Sequence, residues 1–88
     1  MELVFSPLAA ENLDQSGQDP PLREAFVEAL EAIAEGAPRA RETALRVHGG
    51  TAWMIQVLVP GRDDRYQVVW AQFPDGRANV AHLGRALT

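Results

Sequence analysis

Three short runs of alternating apolar and polar residues, separated by turn-forming residues, lie between Ala52 and Leu83, and they constrain the fold more than any other feature. In the first run Trp53, Ile55, Val57 and Val59 share one side of an extended strand, with Met54, Gln56 and Leu58 on the other. The second sets Tyr66, Val68 and Trp70 against Gln67, Val69 and Ala71, and residues 78–83 make the third. The intervening Pro60-Gly61-Arg62-Asp63-Asp64 and Phe73-Pro74-Asp75-Gly76 are turn sequences. Strands joined by such short connections are most simply antiparallel neighbours, so a three-stranded β-meander is predicted. Trp53, Tyr66 and Trp70 occupy the core-facing half of the alternation, which assigns them to packing before base stacking.

A sheet of this kind buries one face only, and the preceding residues supply its cover. Leu22, Phe26, Ala29, Leu30 and Ile33 recur at helical spacing, with Asp19 placed as N-cap and Pro20 at the first helical position. Gly36 then suits a left-handed C-cap and Pro38 a break, so the helix ends near residue 35. Glu24, Glu28, Glu31 and Glu35 fall mainly on its far side as a solvated row. Upstream, Ser6-Pro7 reads as a cap and first residue of a shorter helix using Leu8, Ala9 and Leu13, closed by the polar Gln15-Ser16-Gly17-Gln18. Residues 2–5 suit a short strand. Residues 38–47 fit either a third short helix or an irregular connector, and His48-Gly49-Gly50 is expected to interrupt helix and strand alike. The expected class is α+β: a short N-terminal strand, two or three helices, and the meander, in one domain spanning residues 1–88.

Composition narrows the chemistry. The 88 residues contain no cysteine, which excludes disulfides, cysteine-based zinc sites and thiol catalysis. The N-terminus lacks the basic and apolar regions of a signal peptide, and no apolar run approaches the ~20 residues that cross a bilayer, so a cytoplasmic protein without a membrane partner is expected. Net charge is −4, unevenly spread: residues 1–42 carry nine acidic side chains against three arginines, and residues 43–88 carry three against five. A protein that grips a phosphate backbone usually has a strong basic excess, which weakens RNA or the ribosome as a partner. All eight basic residues are arginines, and Arg62, Arg65, Arg77 and Arg85 gather around the turns and end of the sheet.

No phosphate-binding loop, dinucleotide fingerprint, zinc-protease helix or hydrolase elbow occurs, so neither a cofactor nor a metal is expected. His48 and His82 are the side chains suited to proton transfer near neutrality, His48 in a loop and His82 on a strand surface. Two histidines without acidic residues at ligand spacing do not make a metal site.

The order of elements, together with residues 45–85, resembles the RelE/ParE superfamily of type II toxin–antitoxin toxins, including its HigB and phage-derived branch. Leu45-Arg46-Val47-His48-Gly49-Gly50 resembles the glycine-containing connector, and Trp53-Met54-Ile55-Gln56-Val57 the strand after it. Arg65-Tyr66-Gln67-Val68-Val69-Trp70 resembles the tyrosine-bearing strand, and Ala81-His82-Leu83-Gly84-Arg85 the closing strand with its terminal basic residue. The resemblance implies an antitoxin partner and growth inhibition, either by metal-independent mRNA cleavage at the ribosome through Arg65, His82 and Arg85 or by ParE-like action on a protein target. Where ribonuclease members tend to carry basic residues, this chain has Met54, Gln56 and Gln67, which cannot stabilise a pentavalent phosphate electrostatically. Outside the family, the alternative is a small non-catalytic interaction module that receives a peptide on a sheet edge or helix groove.

Overall fold

The computed structural model describes residues 1–86. Strand β1 (Leu3–Phe5) is followed by helix α1 (Pro7–Gln15), a 3-10 turn at Ser16–Gln18 and helix α2 (Pro20–Glu35). A second 3-10 turn (Pro38–Arg41) leads to four strands, β2 (Thr43–Val47), β3 (Gly50–Val57), β4 (Tyr66–Gln72) and β5 (Ala78–Arg85). They form one mixed five-stranded sheet in the order β1-β5-β4-β3-β2, in which only the β1–β5 pair is parallel. The α+β class and the antiparallel meander β3-β4-β5 are as expected.

Residues 38–47 differ from the expectation of a helix or an irregular connector. They split into a single 3-10 turn and a strand whose register with β3 runs from Thr43 opposite Met54 to Val47 opposite Gly50. The two glycines cause this change instead of interrupting it: His48 and Gly49 form the hairpin loop, with Gly49 at φ 88°, and Gly50 opens the next strand. Both expected N-cap residues stand at the helix starts, but their side chains act differently. Ser6 Oγ accepts from the Ala9 amide as a capping side chain does, whereas Asp19 makes no such bond and turns its carboxylate to Arg62.

The core lies between α2 and the inner sheet face. Trp70, Phe26, Ile33, Leu83, Val68 and Val80 are its largest fully buried side chains, each contributing roughly 1.5–3 kcal/mol by leaving water. Phe26 meets Tyr66 edge-on with ring centroids 6.0 Å apart. Trp53 packs on Trp70 at 4.8 Å but stays half-exposed, and the Arg41 guanidinium lies over both rings.

The two sides of the sheet are finished differently. On one side β1 covers only residues 78–80 of β5, and α1 takes over where β1 stops: Ser6 Oγ donates to the Ala81 carbonyl and Asn12 Nδ2 to that of Leu83. These side chains satisfy the outward carbonyls of β5 in place of a neighbouring strand. On the other side β2 is the margin of the sheet, with four of its five residues exposed.

Candidate functional site

A groove of ≈ 530 Å³ opens where α1, α2 and the ends of β4 and β5 converge. Its floor is apolar, from Leu22, Phe26 and the ring of Tyr66, and its mouth carries Asp19, His82 and Arg85. Asn12 and Ser16 of the helical half also line it. Their part in the groove leaves no trace in the sequence, because Asn12 meets Leu83 and Gly84 across some seventy positions through the fold alone.

Of the three residues expected to act together, His82 and Arg85 border this groove and Arg65 does not. Arg65 is exposed just before β4, at the same end of the sheet, where its carbonyl accepts from the Ala86 amide. The His82 ring stands 3.0 Å by its Nε2 from the Arg85 carbonyl oxygen. A carbonyl can only accept, so Nε2 carries the proton and is occupied, leaving Nδ1 as the basic nitrogen of the neutral ring. The Arg85 side chain is 76% exposed and reaches 3.8 Å from the Asp64 carboxylate.

The nearest strong cation is already committed. Arg62 grips Asp19 through both carboxylate oxygens at 2.6 and 2.8 Å, bridging the loop after β3 to the start of α2. The Arg62 hydrogen bond holds the Asp19 carboxyl below its ordinary range, and Asp19 in turn raises the Arg62 guanidinium. Arg62 thus neutralises Asp19, and Arg85, loosely paired with Asp64, is among the described residues the one cation left at the groove mouth. A single exposed arginine does not concentrate positive charge where a phosphodiester would develop negative charge.

The face of the sheet opposite α2 is more distinctive. Paired registers set Leu45, Ala52, Ala71 and Asn79 in one row across it, and Thr43, Met54, Val69 and His82 in the next. Gln56, Gln67 and Gly84 form a third. Eleven positions on four strands thus hold no arginine, aspartate or glutamate. Arg39 and Glu42 border its β2 side around a shallow depression of ≈ 290 Å³. His48 is exposed in the hairpin loop, and no group of three potential metal ligands exists among the described residues.

These features define a small α+β protein with α2 on one face of a mixed five-stranded sheet, α1 along its β5 edge, and an uncharged opposite face. No helix among the described residues is long and apolar enough to cross a membrane. Comparison with protein-family models, curated proteins and solved structures gives no match.

Proposed function

We propose that this chain is a diverged RelE/ParE-like toxin that works in the cytoplasm by binding proteins, an antitoxin and a cellular target, and does not cleave RNA. The observation that carries this reading is the uncharged outer face of the sheet. Met54, Gln56 and Gln67 stand there at the positions where the resemblance leads one to look for cations, and Val69 lies between them. Removing charge from such a face disables phosphate binding while favouring a protein surface, since the centres of protein interfaces are depleted of charge. The order strand, two helices, antiparallel strands supports the family assignment. Arg65 does not line the groove that His82 and Arg85 border, and His82 Nε2 is engaged by the Arg85 carbonyl, which weighs against a concerted acid–base site.

The test is induction of the chain alone in a bacterial host, with and without the product of an adjacent small reading frame. Growth should arrest, the neighbouring product should relieve it, and mapping of mRNA 5′ ends should show no new cleavage. Arg85→Ala should leave the arrest intact. New mRNA cuts that disappear in Arg85→Ala would return the chain to the ribonucleases, and no growth effect at all would make it an interaction module outside the toxins.

A further inference from the structure

The two sides of the sheet pose unequal problems, and the side formed by β2 is the unsolved one. An uncovered strand exposes a row of backbone donors and acceptors, which folded proteins normally shorten, cover or load with charge. β1 is only three residues long, and α1 covers the part of β5 that β1 leaves open. β2 has five residues, exposed Val47, and no element beyond it among the described residues.

The direction of its free groups follows from the hairpin. Val47 and Gly50 close a two-residue loop and exchange hydrogen bonds, so Val47, Leu45 and Thr43 point their backbone groups at β3. Ala44 and Arg46 then point theirs outward. We propose that this edge pairs antiparallel with β2 of a second copy about a two-fold axis at Leu45. That register alone sets the outward groups of Ala44 against those of Arg46 in the other copy, twice, forming four backbone hydrogen bonds.

The side chains agree with the same axis. Leu45 meets Leu45 on the neutral outer face, and Val47 lies opposite Thr43, so two half-exposed apolar rows become one continuous surface. A shift of register by one residue would place Leu45 opposite a residue of the wrong face and turn the outward backbone groups away from their partners. The contact is smaller than the ~1,600 Å² of a standard interface, so the dimer is weak and depends on concentration.

The absence of cysteine makes the test direct, because a single introduced thiol can only pair with itself. Leu45→Cys should form a covalent dimer rapidly under mild oxidation, since the two sulfurs face each other in a non-hydrogen-bonded pair. Val47→Cys should not, because its counterpart lies opposite residue 43. Light scattering during size exclusion should show the unmodified chain shifting from monomer to dimer as concentration rises. Ala44→Pro, which removes an outward N–H and no internal bond, should abolish that shift while circular dichroism stays unchanged. A chain that stays monomeric at every concentration overturns the proposal, as does a dimer in which Leu45→Cys cross-links no faster than Val47→Cys. The first result would leave the edge to a strand from another protein, and the second would place the dimer on another surface.

Discussion

Val80 and Leu83 stand three positions apart on one strand, yet both are fully buried against the same helical layer. Regular alternation forbids this, because residues separated by an odd number point to opposite faces. The register explains it: Val69 pairs with His82 but Trp70 pairs with Val80, so Ala81 is an extra, unpaired residue that resets the alternation. The same bulge puts His82 and Gly84 on the outer face and tips the Ala81 carbonyl toward Ser6.

Deleting Ala81 should therefore be far more damaging than changing its side chain. Without the extra residue, either Val80 or Leu83 must leave the core, at an expected cost of about 3 kcal/mol or more. Ala81→Ser, at an exposed position, should stay within about 0.5 kcal/mol of the parent. Urea unfolding followed by tryptophan fluorescence measures both, and equal stability of the two variants would refute the role given to the bulge.

A second prediction concerns Trp70. Its indole Nε1 donates to the Ala40 carbonyl at 2.8 Å, both residues being about 1% exposed, and this bond fastens the 3-10 turn to the centre of the sheet. Trp70→Phe keeps an aromatic ring but leaves that carbonyl buried without a partner, which should cost about 1–3 kcal/mol before any loss of packing. Because Ala40 leads directly into β2, amide exchange in residues 43–47 should accelerate more than in β5. Uniform acceleration across the sheet would contradict the link.

The third prediction is a pH dependence with its sign set by Asp19. Its carboxyl is held below the ordinary value of 3.8, first by the Arg62 hydrogen bond. A group whose folded pKa is depressed stabilises the fold in full above the unfolded value, and that contribution disappears as pH falls through the folded value. Asp75 acts in the same direction, held down first by the Arg77 backbone amide. The urea midpoint should accordingly fall on acidification from about pH 5 to about pH 2. Asp19→Asn should be less stable than the parent at neutral pH and should lose less over that interval. A parallel pair of pH profiles would show that the Asp19–Arg62 pair does not contribute to folding.

Much of the fold was legible because it rests on local periodicity. The spacing of Leu22, Phe26, Ala29, Leu30 and Ile33 defines one buried helical stripe, and all but Leu22, which is half-exposed, are buried. The alternation in β3 and β4 likewise separates Ile55, Val57, Val68 and Trp70 from Gln56, Gln67 and Val69 as expected. Strand β2 is not legible in the sequence because Thr43-Ala44-Leu45-Arg46-Val47 is too short and too exposed to carry a pattern, and His48-Gly49-Gly50 suits a break as well as it suits a hairpin loop and the start of a strand. At the candidate site, His82 and Arg85 were recognisable by residue type. Asn12 and Asp19 were not, since one resembles an ordinary helix residue and the other an N-cap.

The sequence by itself determined the two helices, the meander and the composition of its two faces, because each depends on side chains a few positions apart along a regular backbone. Only the tertiary structure decided what long-range pairing controls. It placed β1 parallel to β5, continued that edge with Ser6 and Asn12, and used a bulge at Ala81 to bury Val80 and Leu83 together. It also gave the side chain of Asp19, the N-cap residue of α2, its partner in Arg62, forty-three residues away. Contacts of that range depend on which elements become neighbours, and no local pattern in the chain records that choice.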